Sequence, residues 1–198
     1  PGNRIFAPMK TILRIFLACA LFCAAGVRAQ QTPPSGAALI AVSKESMTLA
    51  VYYFNSRLLA VYPVACGRAL GNKEKPGDMK TPEGLFSVQQ IQDARAWTHD
   101  FGDGKGEIRG AYGSHFIRLK TPGHRGIGIH GTHDPASIGT RATEGCIRLN
   151  NGDLLELVKK YVYVGMPVVI LTSEADSAVP CRLPAAAKTG PRPTVQPK

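Results

Sequence analysis

Short apolar, β-branched runs, each bounded by turn residues, succeed one another along this chain and leave it few folds to adopt. ALIAVSK (38–44), SMTLAVYYF (46–54) and RLLAVYPVACG (57–67) follow one another with only a few polar residues between them. Runs this short and this rich in valine, isoleucine, threonine and tyrosine suit a pleated, half-buried surface better than a helix. Asn55-Ser56 separates two of them and predicts a hairpin turn. LFSVQQI (85–91), SHFIRLK (114–120), GIGIHG (126–131) and PVVILT (167–172) continue the series. Thr81-Pro82-Glu83-Gly84 sets proline and glycine where a β-turn takes them.

One segment has helical periodicity. Leu154, Leu155, Leu157, Val158 and Tyr161 share a face, Asp153 suits the first turn, and Lys159-Lys160 suit the last. Asn150 or Asn151 is expected to cap it, and Gly165 and Pro167 end the segment. The expectation is a mainly β fold: a single sandwich or barrel domain with one short helix after Cys146.

Residues 1–29 read as leader and signal peptide. A basic stretch ends at Arg14, the apolar IFLACALFCAAG follows, and Val27-Arg28-Ala29 supplies a cleavage site after Ala29. Lipidation of Cys19 is the lesser alternative. The apolar run is about a dozen residues, short of the roughly 20 that span a bilayer. The mature chain is therefore expected to be secreted or periplasmic, with no transmembrane segment. Residues 30–37 read as a linker, 38–173 as one domain and 174–198 as a disordered, basic Pro/Ala-rich tail.

The chain carries a formal charge of +10. The excess sits in the leader and the tail, since residues 30–179 hold 16 basic and 14 acidic side chains. A nucleic-acid binder needs its excess on a folded face, so nucleic acid is excluded as a partner. Loss of the leader removes Cys19 and Cys23 and leaves Cys66, Cys146 and Cys181. In an oxidising compartment an odd count leaves a free thiol, and the economical pairing is Cys66–Cys181.

Taken alone, Cys146 is open to four readings: a buried hydrophobe, half of a disulfide, a metal ligand or a nucleophile. As a nucleophile it needs a base, because a free thiol is mostly protonated at neutral pH, and histidine is the natural one. His130 lies 15 intervening residues upstream, and each of the two has a neighbouring glycine. A zinc set of His124, His130, His133 and Cys146 lacks the close, fixed ligand spacing of a catalytic site. No metal or cofactor is expected.

His130-Gly131 and Thr143-Glu144-Gly145-Cys146, with the earlier GNKEKPGDMKTPEGLFSV (71–88), resemble the signature of the YkuD family of L,D-transpeptidases. These are secreted enzymes that cross-link peptidoglycan, and the likeness spans roughly residues 38–172. The resemblance implies ping-pong acyl transfer between peptidoglycan stem peptides. Cys146 would be the nucleophile and His130 the acid–base, oriented through the carbonyl of Gly131. The amides of Gly145 and Cys146 are the candidate oxyanion donors. Arg148 is the candidate clamp for a substrate carboxylate, with Thr143, Glu144, His133 and Tyr112 lining the substrate site. Asp134 is the candidate third member of a triad. Many family members carry histidine or arginine where Glu144 stands, which bears on acceptor choice. A stem peptide, glycine, a wall-linked lipoprotein or water are the acceptors this chemistry admits. Water would give an L,D-carboxypeptidase or a hydrolase that releases wall-linked groups, and a non-catalytic wall-binding β-domain is the alternative without chemistry.

Overall fold

A computed structural model describes residues 36–177 apart from 103 and 105. The leader and signal peptide, nearly all of the linker, Cys181 and the chain beyond 177 lie outside the described residues. The strands are β1 (Ala37–Ser43), β2 (Thr48–Tyr53), β3 (Leu58–Gly67), β4 (Gly84–Asp93), β5 (Thr98–Asp100) and β6 (Glu107–Arg109). They continue with β7 (His115–Lys120), β8 (Gly128–His130), β9 (Arg141–Thr143), β10 (Ile147–Leu149) and β11 (Pro167–Leu171). The ten-residue helix α1 (Asn151–Lys160) follows β10, and a single turn, α2 (Glu174–Ser177), follows β11.

The main sheet runs β10-β8-β7-β4-β11-β1-β2-β3-β9, and β10 also pairs with β3. That extra pairing joins the first strand of the order to the last but one, which closes the sheet into a barrel and resolves the choice between barrel and sandwich. Closure removes the open edges that invite aggregation. β5 and β6 form a separate hairpin.

The alternation of the sequence explains the interior. Ile40 pairs with Val51 and Val42 with Leu49 across β1 and β2, and all four are fully buried. Burying such a side chain stabilises the fold by about 1.5–3 kcal/mol. The β2–β3 turn forms where expected: Ser56 takes φ 62° and the Tyr53 amide donates to the Arg57 carbonyl at 2.8 Å. Leu154 and Leu157 seat α1 on the core. The capping expectation fails, however. Asn150 occupies the cap position without a side-chain cap bond, and the Asn151 side chain is used elsewhere.

The first four residues assigned to a disordered tail are folded. Ser173 Oγ accepts the Asp176 amide at 3.0 Å, capping α2. The Asp176 carboxylate, with no side-chain exposure, meets Lys44 at 3.1 Å, Arg141 at 2.7 Å and the Gly71 amide at 2.7 Å. Burial opposes its charge. The hydrogen bonds from Ser173, Gly71, Arg141 and Lys44 outweigh that and hold the carboxyl well below its usual range. Cys66 is buried in β3, and burial pushes its thiol up to about 11. No described helix is long and apolar enough to cross a membrane.

Candidate active site

Parallel pairing of β8 with β10 sets His130 beside Arg148 and Ile129 beside Ile147. Side chains alternate across a strand. Ile129 and Ile147 enter the core, so His130 and Arg148 face the other way, and Cys146, two residues before Arg148, faces with them. All three line one cavity of about 380 Å³, within the range of small-ligand sites. Phe116, opposite His130 on β7, stacks on the imidazole at 5.6 Å with 8° between the rings.

The loop before β10 is held from within. Thr143 Oγ1 donates to the Cys146 carbonyl at 2.6 Å and accepts the Gly145 amide at 3.1 Å. Gly145 adopts φ 129°, and a Cβ there would lie 2.6 Å from the Lys80 carbonyl oxygen. Glycine is required on both counts.

His130 Nδ1 lies 2.7 Å from the Gly131 carbonyl oxygen. That oxygen can only accept, so Nδ1 carries the hydrogen and the neutral ring keeps its lone pair on Nε2. Burial pushes the imidazole down to about 3, against the opposing pull of the Gly131 hydrogen bond. Burial likewise pushes the Cys146 thiol up to about 11, with the Gly128 amide acting the other way. The thiol hydrogen has a resting acceptor in the Gly126 carbonyl, 3.4 Å from Sγ. Both shifts favour a neutral thiol and a neutral imidazole at rest rather than a preformed ion pair.

The β5–β6 hairpin supplies the facing wall. His99 Nε2 lies 3.2 Å from Glu144 Oε2, and Tyr112 Oη 3.0 Å from His99 Nδ1. The Tyr112 ring meets His130 edge-on at 4.9 Å. A buried Lys73–Asp78 pair at 2.6 Å stiffens the third side, where Lys73 and Met79 line the cavity.

Residues 37–170 match the L,D-transpeptidase catalytic domain, YkuD. The chain belongs to that family. This YkuD domain is 33% identical over 132 residues to the YkuD protein of Bacillus licheniformis, covering 67% of this chain and 63% of that protein. It is 31% identical over 142 residues to the YqjB protein of Bacillus subtilis, covering 71% of this chain and 74% of that one. The fold is similar to that of L,D-transpeptidase 3 from Mycobacterium tuberculosis, with a TM-score of 0.51, 19% identity, and coverage of 70% of this chain and 60% of the other. The match thus spans less than two thirds of the Bacillus licheniformis protein.

Within the YkuD domain, Cys146, His130, Arg148, Glu144, Thr143 and Tyr112 surround the one cavity. His133 does not. It is exposed and meets the Phe101 ring at 4.8 Å with 32° between the planes, beside a second cavity with Asp134 and Arg68. The Nδ1 position that a triad aspartate would take is filled by Gly131, which removes Asp134 from that role. Thr143 lines the cavity but is buried, with its hydroxyl bonded within the loop. The same hydroxyl accepts the Gly145 amide, which leaves the Cys146 amide as the remaining oxyanion candidate. Arg148 is buried, donates to Ser137 Oγ at 2.9 Å and lies over the Phe101 ring at 5.8 Å. Its Nε is buried without a hydrogen-bond partner among the described residues. His99, Phe101, Lys73 and Phe116 line the cavity and were not singled out by sequence. No three His, Cys, Asp or Glu side chains among the described residues are grouped to hold a metal ion.

Proposed function

We propose that this domain is an exported, cysteine-dependent L,D-transpeptidase acting on peptidoglycan stem peptides. The observation that carries the reading is the common face of β8 and β10. It gives Cys146 and His130 one cavity, with the imidazole tautomer set by Gly131. Cys146 Sγ attacks the carbonyl between the third residue of a tetrapeptide stem and its terminal D-Ala, and the thiol proton passes to His130 Nε2. The Cys146 amide faces the developing oxyanion. The C–N bond then breaks and His130 returns the proton to the departing D-Ala amine, leaving a thioester. The side-chain amine of a second stem attacks that thioester, gives its proton to His130 and restores the thiol. Because the resting pair is neutral, the proton moves as the S–C bond forms.

The solved Mycobacterium tuberculosis relative carries a faropenem-derived adduct, so faropenem is a direct probe of the nucleophile. Intact-mass analysis of the faropenem-treated domain should give one covalent adduct that maps to Cys146 and is absent from Cys146→Ala. Incubation with tetrapeptide muropeptides should release D-Ala and form 3→3 dimers. Tripeptides alone would assign hydrolysis instead, and no adduct with no D-Ala would overturn the enzymatic reading.

A further inference from the structure

We infer that Asn151 is a positioning residue for the His130 imidazole, acting through the peptide plane between Gly131 and Thr132. The inference rests on the assignment of His130 as the acid–base. The Gly131 carbonyl and the Thr132 amide are two ends of one planar peptide group. The carbonyl accepts His130 Nδ1–H at 2.7 Å, and the amide donates to Asn151 Oδ1 at 2.9 Å. Asn151 Nδ2 closes the clasp by donating to the Thr132 carbonyl at 2.9 Å. These partners fix which way the Asn151 amide points, since the Thr132 N–H needs an oxygen and its carbonyl needs an N–H.

Two consequences follow. Holding the N–H end of a planar group holds the direction of its C=O, and with it the ring that bonds to that C=O. The bonds also run head to tail, from imidazole N–H to Gly131 carbonyl and from Thr132 N–H to Asn151 carbonyl. Each polarises the next and strengthens it as the ring becomes positive. The side chain does for the imidazole, one peptide removed, what a carboxylate does directly in a Ser-His-Asp site.

The packing around the clasp is specific to it. A Cβ on Gly131 would lie 2.2 Å from Asn151 Oδ1, and one on Gly113 would lie 2.3 Å from the same atom. Two glycines from separate loops thus form the slot that admits the amide. The Gly131 amide is tied on the other side to the Tyr112 carbonyl at 2.7 Å. Asn151 is the first residue of α1, and the cap position before it, Asn150, makes no side-chain cap bond, so the Asn151 amide is spent on the clasp rather than on its own helix.

The test is the pH dependence of faropenem acylation, followed by intact mass in the parent, Asn151→Ala, Asn151→Asp and His130→Ala. The groups around the imidazole are Arg148, His99, His133, Tyr112, Glu144 and Cys146, and none is altered by the Asn151 substitutions. Asn151→Ala should acylate at least about tenfold more slowly near neutral pH, because its base is misaligned and weakened. The deficit should close as pH rises toward the ionisation of the thiol, where the base is no longer needed. Asn151→Asp keeps the acceptor for the Thr132 amide but loses the N–H to the Thr132 carbonyl. Near neutral pH it should therefore fall between the parent and Asn151→Ala, with the deficit closing at high pH; it also serves if Asn151→Ala does not fold. A deficit equal at every pH, or an Asn151→Ala profile matching the parent while His130→Ala is slow, overturns the inference. Parental rates in His130→Ala would instead overturn the acid–base assignment beneath it.

Discussion

Replacing Asp176 by asparagine should be among the most damaging single changes outside the cavity. The carboxylate has no side-chain exposure, and it faces Lys44 at 3.1 Å and Arg141 at 2.7 Å. Asparagine fills the same volume but leaves Arg141 without its anion and Lys44 with only Glu83. Removing one partner of a buried pair costs about 3–5 kcal/mol. Unfolding entropy near 2.1 cal/mol/K per residue, over about 140 folded residues, amounts to about 0.3 kcal/mol/K. The expected fall in Tm is therefore about 10–17 °C, measured by calorimetry at pH 7. The sign of the pH dependence is fixed by the depressed carboxyl. Its stabilisation is complete above the unfolded value near 3.9 and disappears as pH falls through the folded one. Parent and variant should stay apart down to about pH 4 and converge only below it. Lys44→Met in the Asp176→Asn background should cost less than the two changes summed, because the uncompensated cation is gone. A Tm drop under about 3 °C, or strict additivity, would refute the argument.

Alkylation of Cys146 by iodoacetamide should keep accelerating above pH 9, toward about 11, because burial favours the thiol; a plateau below pH 8 would mean a resting ion pair instead. Gly128→Ala should cost about 1–3 kcal/mol by overpacking, as its Cβ would lie 2.3 Å from the Phe116 ring and 2.8 Å from the Ile117 carbonyl. Faropenem acylation should slow with it, since Phe116 is the ring stacked on His130, and unchanged stability and rate would contradict the packing. Glu144→Gln removes a negative charge that raises the thiol pKa, so alkylation at pH 8 should quicken about two- to threefold. Its Tm should move by less than about 3 °C, because the pair with His99 is part-exposed; slower alkylation would reverse the assigned sign.

The long strands were legible because alternation over six to ten residues is a strong local signal, and the pairings of β1, β2 and β3 follow it. β9 and β10 were not, since three residues carry no period and their extension depends on partners far away in sequence. His130 and Cys146 stood out through their glycines and spacing. Their facing wall did not, because His99 and Phe101 lie in or beside a polar, glycine-rich stretch whose hairpin carries no apolar face of its own. Asn151 was read as a cap because its residue type fits one, and only coordinates reveal that it reaches Thr132. The turn at Ser173 did carry a signal: Ser173-Glu174-Ala175-Asp176 has the serine and the acid, three residues on, of a helix start. It was masked by the proline- and alanine-rich composition that follows it.

The pairing of β10 with β3 gives the chemistry a place in the folding sequence. Leu149 meets Val64 across some 85 residues of intervening chain, and contacts of that span tend to form late. The β8–β10 pairing that sets His130 near Cys146 spans only 18 residues, so it can form before this seam does. Burial raises the thiol pKa only once the ring is complete, so a chain arrested before that last zippering would alkylate at lower pH than the finished barrel.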